Sequence, residues 1–182
     1  MDGPLFPGEP RPLPPQSGST WVVTSADPPK PPPVRHAIGY RPFVDLAETF
    51  GTDPRALVDL WTFAHFVRAH REALESDEDL LHAAIVFLGN TLTARFPECV
   101  WVNRTNGLAI VSEREELTEM RPGVVELLDD RRRHLGVGGT VPALLRADEA
   151  RFQEFQGVVA AWSPDAAPPE PRPPIPFKPR DR

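Results

Sequence analysis

Apolar residues recur at helical spacing through most of the middle of the chain, and this pattern predicts a series of amphipathic helices. The first is a short helix over residues 42–50, with Gly51 as its stop. Asp53 followed by Pro54 is typical of a capped helix start, and an apolar stripe over residues 57–74 predicts the helix that continues from it.

A further helix start is indicated at Ser76 or Asp77, either of which could cap the free amides of a helix that runs to about Arg95. The connection to the preceding helix is short, so the two helices are expected to form an antiparallel hairpin. Residues 83–88 include no polar side chain. This helix is therefore predicted to lie at the centre of the fold.

Pro97 ends the helical pattern, and two β-rich runs follow it, over residues 99–102 and 108–111. They flank Asn106 and Gly107, a pair that tolerates the positive φ angles of a tight turn. We therefore expect a β-hairpin with a loop of about four or five residues. Neither run alternates cleanly between apolar and polar, which indicates that both faces of the hairpin are covered.

Beyond the hairpin, a helix is predicted over residues 122–135, ended by Gly136, and residues 138–140 are expected to form a loop. A last helical stretch is predicted over residues 144–162 and is expected to be split near Ala147. The predicted fold class is therefore α+β, with a helical hairpin and further helices packed on a small antiparallel β-hairpin or sheet.

The prolines divide the chain into three parts. Of 24 prolines, eleven lie in residues 1–35 and eight in residues 163–182. Such segments have too little apolar surface to offset the entropy of ordering them, so both are predicted to be disordered tails. A single folded domain is expected over residues 36–162, and residues 20–24 could add an edge strand to it.

Charge and cysteine content narrow the function classes. The expected domain has 20 acidic and 13 basic residues, and this balance disfavours nucleic acid as a partner. Its basic residues are all arginines, and together with the many Ala and Pro residues this indicates coding from a GC-rich genome, such as a bacterial one. Cys99 is the only cysteine and is expected to be a buried packing residue.

The longest uncharged apolar stretch, residues 83–94, is too short to cross a bilayer, and no signal peptide is evident, so a cytoplasmic location is expected.

Histidines and carboxylates suggest one catalytic alternative. In an antiparallel helix pair His70 and His82 would lie at a similar level, with Glu78 one turn from His82, and such a set could hold a divalent metal. His65 or Asp79 could join it in acid-base chemistry. Separate surface or packing roles are the simpler explanation of these residues, so no catalytic, cofactor-binding or metal-binding residue is assigned, and no cofactor is expected.

Three other patterns have simpler explanations than a binding site. The acidic residues between 72 and 79 lack the glycine and final glutamate of a calcium loop, although they could face a basic partner. Residues 136–140 are glycine-rich but lack the lysine of a phosphate-binding loop. Residues 173–178 have the proline spacing of a polyproline ligand, for which a solubilising tail is the alternative.

The order of features from Asp79 to Leu145 resembles that of small bacterial families of unknown function. These families occur chiefly in high-GC genomes, some of them near toxin, immunity or secretion loci. The resemblance supports an α+β fold and implies no catalytic residue. It is carried by Leu88-Gly89-Asn90-Thr91-Leu92, Val100-Trp101-Val102, Leu108-Ala109-Ile110-Val111, Arg121-Pro122 and Val141-Pro142-Ala143-Leu144-Leu145.

These observations favour a non-catalytic protein-binding module, an accessory or regulatory protein of the bacterial cytoplasm. Another protein is the expected partner, with the tails as spacers or ligands, and the oligomeric state stays open. Two alternatives from other classes also stay open. One is a small metal-dependent or acid-base enzyme using His70, His82 and Glu78, and the other is a self-assembling structural subunit.

Overall fold

The computed structural model of the chain describes residues 4–16, 33–104, 107–112 and 134–163. In this part, helices pack on a three-stranded antiparallel sheet of order β3-β4-β5, and β1 pairs with β2 in a separate parallel ladder. The α+β prediction is therefore confirmed. The helices are α1 (Arg41–Thr49), α2 (Leu60–Ala69), α3 (Arg71–Ser76), α4 (Glu78–Arg95), α5 (Val137–Arg146) and α6 (Glu149–Ala161), with a 3-10 turn at Ala56–Val58. The strands are β1 (Pro10–Arg11), β2 (His36–Ala37), β3 (Cys99–Arg104), β4 (Gly107–Ser112) and β5 (His134–Leu135).

Helix α4 is the centre of the fold, as its apolar sequence predicts. The carboxylate of Asp77 accepts a hydrogen bond from the Leu80 amide at 3.0 Å and so caps the helix start. Every residue from 83 to 93 is buried. Helices α1, α3 and α5, strand β2 and the sheet all pack around it.

The sheet approaches α4 through one close contact. An ideal Cβ built on Gly89 would lie 2.0 Å from Cζ2 and 2.2 Å from Cη2 of the Trp101 indole. Only a residue without a side chain fits there. Val100 and Val102 point to the opposite side of β3 and are also buried, so both faces of this strand are covered, as predicted.

The hairpin differs from its prediction in loop length. Strands β3 and β4 pair from Cys99 opposite Ser112 to Arg104 opposite Gly107, which leaves two residues between them rather than four or five. Gly107 has a φ of +110°, in the region that favours glycine. The position predicted for the turn is therefore confirmed. The strand pairing continues closer to the turn than the two apolar runs indicate.

The start of α2 is a correction to the sequence analysis. Asp53 accepts a hydrogen bond from the Arg55 amide, but the chain then forms only the 3-10 turn. Helix α2 begins at Leu60, capped by Asp59, which accepts bonds from both the amide and the hydroxyl of Thr62 at 2.8 Å. Asp59 accepts more hydrogen bonds than Asp53, and the helix begins at the better cap.

The segment after β4 contains two further corrections. Residues 138–140, predicted to be a loop, lie in α5, and Leu135 lies in β5 rather than at a helix end. A Cβ on Gly138 would lie 3.3 Å from the backbone nitrogen of Leu108, so the glycine lets α5 pack closely on β4. Tertiary packing thus outweighs the low helix propensity of glycine. His134 also lies in β5, and residues 122–133 of the predicted helix lie outside the described residues.

Other predicted boundaries are confirmed. Helix α1 ends just before Gly51, whose φ is +70°. The final helical stretch is split at Ala147, and α6 restarts at Glu149 with Asp148 accepting a bond from the Arg151 amide at 2.9 Å. None of the helices in the described ranges is both long and apolar enough to span a membrane.

The N-terminal boundary also needs correction. Residues 4–16 belong to the predicted disordered tail, yet they lie against the domain, with Phe6 only 1% exposed and part of the main core. Val34 is buried in the same core. The packed part of the chain therefore includes residues on the N-terminal side of position 36. The possible edge strand over residues 20–24 lies outside the described residues.

Candidate functional site

Residues 4–16, called here the strap, occupy a groove on the domain. The strap groove is formed by β2, Ile38 and Tyr40, together with Phe87 of α4 and Asn103 of β3. Phe6 is the anchor of the strap. Its ring meets three groove rings close to edge-on, with centroid distances of 5.3 Å to Phe87, 5.1 Å to Tyr40 and 5.7 Å to His36.

Backbone hydrogen bonds continue from this anchor. Pro10 and Arg11 lie opposite His36 and Ala37 in a parallel ladder, and the Ile38 amide donates to the Arg11 carbonyl at 2.9 Å. Further along, the Asn103 side chain donates to the Pro14 carbonyl at 3.3 Å. Leu5 and Leu13 pack against the core on either side of these bonds. The strap is therefore held along most of its length.

The proline content of the strap suits this arrangement. Proline has no amide to donate, so a proline-rich strand can pair only at an edge, where its carbonyls accept bonds from one neighbour. Among the described residues, β1 pairs with β2 alone. Gly8 has a φ of +92°, and its carbonyl lies 3.2 Å from the Nδ1 atom of His36.

His36 forms the part of the groove wall between Phe6 and Tyr40. The residue is 6% exposed, and its ring centroid lies 5.7 Å from that of Tyr40. Its Nε2 atom is buried without a hydrogen-bond partner, a condition found at no other buried side-chain nitrogen or oxygen of the described residues. The ring is thus enclosed jointly by the strap and the domain.

The far side of β2 is fixed by the buried amide of Asn90. Its Nδ2 donates to the Ala37 carbonyl at 2.8 Å, and its Oδ1 accepts from the Ala37 amide at 2.8 Å and from the Trp101 indole at 3.1 Å. The Thr93 hydroxyl bonds to the Arg35 carbonyl, and the Trp101 amide donates to the Val34 carbonyl at 2.8 Å. Strand β2 is therefore held rigidly by α4 and β3, with its other edge turned to the strap.

The histidines proposed from the sequence do not form a ligand set. His70 packs against the rings of Phe50 and Phe66, at centroid distances of 4.0 and 4.3 Å, and His82 is exposed. In the ranges that the structure describes, no three His, Cys, Asp or Glu side chains are grouped so as to hold a metal ion. His70, His82 and Glu78 are therefore not brought together.

The remaining candidates have local roles. His65 meets the rings of Trp61 and Phe152 at 4.7 and 5.0 Å, within the contact between α2 and α6. Cys99 is fully buried in the core, as the sequence predicts. Glu72 and Glu75 line a shallow, open depression of about 600 Å³ beside α3, where Glu75 pairs with Arg71 at 2.9 Å.

Helix α6 is tied to α2 by an exposed charge cluster. Arg68 lies 2.9 Å from Glu149, and its guanidinium carbon lies 4.4 Å from the ring centre of Phe152. Hydrogen bonds from Gln153 and then from Arg68 lower the pKa of Glu149. Arg68 and Glu149 are therefore explained by their contacts between α2 and α6.

Comparisons with protein-family models, with curated proteins and with solved structures find no match for this chain. The resemblance to families of high-GC bacteria therefore stays a prediction. Function has to be inferred from the site itself. The strap groove is the feature that composition alone missed, and the signal that could have found it is the apolar pair Leu5 and Phe6 within an otherwise proline-rich segment.

Proposed function

We propose that this protein is a non-catalytic protein-binding module that binds an extended, proline-containing segment in the strap groove. Residues 4–16 are then a ligand held in cis, which a segment of another protein replaces. An accessory or regulatory role in the bacterial cytoplasm fits such a module. The observation that carries the proposal is the strap itself, which already occupies the groove as a peptide would.

Three features of the strap are those of peptide recognition by strand addition. The backbone pairs with β2, a two-residue segment that Asn90 and Thr93 hold in place, an aromatic side chain fills a pocket, and polar side chains of the domain contact carbonyls of the ligand. Proline-rich segments also lose little conformational entropy on docking, because their backbone is already extended. These features together favour binding of a segment with Phe followed by prolines at the spacing of the strap.

The proposal requires that the strap leave its groove while the rest of the described fold stays in place. Residues 17–35 connect it to β2 along the sequence, and the bonds between the Ala37 backbone and Asn90 involve no atom of the strap. A tethered ligand of this kind acts at an effective concentration on the order of millimolar. A partner must therefore either bind more tightly than the strap or meet a chain whose strap has been released.

A competition experiment tests the proposal. The probe is a fluorescein-labelled peptide of residues 4–16, and its anisotropy is measured with the full chain and with its Phe6→Ala variant. We expect the variant to bind the probe at least about tenfold more tightly, because its own strap has lost the anchor and competes less. A Phe50→Ala chain is the matched control, since Phe50 is 55% exposed and lies outside the groove.

Two outcomes would contradict the proposal. One is that the labelled peptide binds neither chain, and the other is that a peptide carrying Phe6→Ala binds the variant chain equally well. Light scattering on the same samples shows whether the strap of one copy fills the groove of another. A dimer that disappears in the Phe6→Ala chain would make a second copy the partner, which is the self-assembling alternative.

A further inference from the structure

His36 contacts the strap at alternate residues. Its imidazole meets the ring of Phe6 at a centroid distance of 5.7 Å, and its Nδ1 atom lies 3.2 Å from the carbonyl of Gly8. Its backbone pairs with Pro10. The residues between these contacts, at positions 7 and 9, are exposed. The groove therefore constrains every second residue of its occupant here and leaves the two side chains between them to solvent.

Gly8 has a backbone conformation that residues with a side chain rarely adopt. Its φ is +92°, and at such angles the Cβ of an L residue crowds a neighbouring backbone carbonyl. An ideal Cβ built on Gly8 meets no heavy atom of the described residues within 4 Å, its chain neighbours aside. Glycine is therefore favoured at this position by the sign of φ and not by a lack of space.

Contacts on either side of Gly8 fix the path of the strap. Phe6 is buried in the main core, and the Ile38 amide donates to the Arg11 carbonyl at 2.9 Å. Another segment bound in the register of the strap makes the same contacts through its first and sixth residues. Its third residue then takes the positive φ that Gly8 has.

We infer that the strap groove selects segments in which an aromatic residue is followed two positions later by glycine. The inference rests on the proposed function and names its ligand class more narrowly, as an extended, proline-containing segment with this aromatic-x-Gly signature. Proline at the position of the glycine is excluded, because its ring holds φ at about −65°. The glycine thus separates the ligand from other proline-rich sequences.

The C-terminal part of the chain supplies a natural comparison. Residues 173–182 also combine a phenylalanine with several prolines, but Phe177 is followed two positions later by Pro179. A peptide of this sequence resembles the strap in composition and lacks its glycine. It is therefore expected to compete for the groove at least about tenfold more weakly than the strap peptide.

The test is a competition on the full Phe6→Ala chain, with the fluorescein-labelled peptide of residues 4–16 as the probe and unlabelled peptides as competitors. We expect Gly8→Ala in the competitor to weaken its binding about tenfold, because an L residue is strained at this φ. Gly8→D-Ala adds the same methyl group with opposite chirality and is expected to bind within about twofold of the parent peptide, because a positive φ is ordinary for a D residue. Glu9→Ala is the matched control and is expected to change binding by less than about twofold, since the Glu9 side chain is 80% exposed.

The outcomes separate the two claims. A probe that does not bind the folded Phe6→Ala chain overturns the proposed function and the glycine selectivity with it. If the probe binds, equal competition by the parent and Gly8→Ala peptides overturns the selectivity and leaves the proposed function standing. Equal losses for Gly8→Ala and Gly8→D-Ala also overturn it, and so does competition by the peptide of residues 173–182 that is as strong as that of the parent.

If the Phe6→Ala chain does not fold, the strap of the otherwise unaltered chain decides. Gly8→Ala introduced there is expected to lower the hydrogen-exchange protection of the Ile38 amide about tenfold, because the strap leaves the groove more often. Glu9→Ala is expected to leave that protection unchanged. Equal protection of the Ile38 amide in the two variants overturns the inference.

Discussion

Single residues in this fold owe their importance to contacts made far along the chain. Gly89 and Asn90 look from the sequence like interruptions of an apolar helix, and nothing local distinguishes them. In the structure Gly89 packs against the indole of Trp101, and the side chain of Asn90 forms a hydrogen bond with the backbone of Ala37. Roles of this kind could not be predicted, because they depend on partners that only the folded chain brings close.

The contact between Gly89 and Trp101 gives a prediction at this scale. Gly89→Ala should destabilise the protein by about 1–3 kcal/mol, because the added methyl group would overlap the indole and force the sheet away from α4. The measurement is the free energy of unfolding in urea. Gly157→Ala is the control: an ideal Cβ there meets nothing within 4 Å, so the exchange should stabilise α6 by up to about 1 kcal/mol. Equal unfolding free energies for the two variants would contradict this close packing.

Elements were predictable where their signals are local. Helix α4 and the β3-β4 hairpin follow from a cap, an apolar run and an Asn-Gly turn, and each appears where it was expected. Strands β1 and β5 are two residues long and exist only through their pairing with β2 and β4. Helix α5 has Gly138 and Gly139 in its first turn, and Gly138 packs closely on the backbone of β4. These elements could not be predicted from local sequence, because they depend on tertiary contacts.

The start of α2 gives a prediction at the scale of elements. Burial raises the pKa of Asp59, but hydrogen bonds from the Thr62 amide and hydroxyl, the charge of Arg95 and a bond from the Trp61 amide outweigh it, so the pKa is lowered overall. A lowered folded-state pKa contributes stability above the ordinary value of 3.8, and that contribution is lost as pH falls through the folded value.

Asp59→Ala is therefore expected to cost about 1 kcal/mol at pH 7, the usual magnitude for loss of an N-cap. The difference from the unaltered chain should shrink once pH drops below about 4. Denaturant unfolding at pH 7 and pH 3 measures both values. Asp53→Ala is the comparison, because Asp53 bonds one amide in a turn and begins no α-helix. A larger loss at Asp53 than at Asp59 would show that the helix starts where the sequence first suggested.

At the scale of the whole molecule, composition was a poor guide to residues 4–16. The disorder argument holds that proline-rich segments lack the apolar surface to fold by themselves. The strap does not fold by itself, since the domain supplies the apolar surface as a groove and the strap supplies Phe6. The α+β class could be read from local patterns, but the candidate site could not, because it arises where a tail meets a domain.

The most direct test of the central claim asks whether a separate peptide can take the place of the strap. The ¹H-¹⁵N spectrum of the labelled Phe6→Ala chain is recorded while unlabelled peptide of residues 4–16 is added up to about 1 mM, on the order of the effective concentration of a tethered segment. The Ile38 amide, which donates to Arg11 of the strap, is the reporter. If the groove is a binding site, its signal returns to the position it has in the unaltered chain. A signal that stays at the variant position would mean that residues 4–16 are part of the fold and not a ligand.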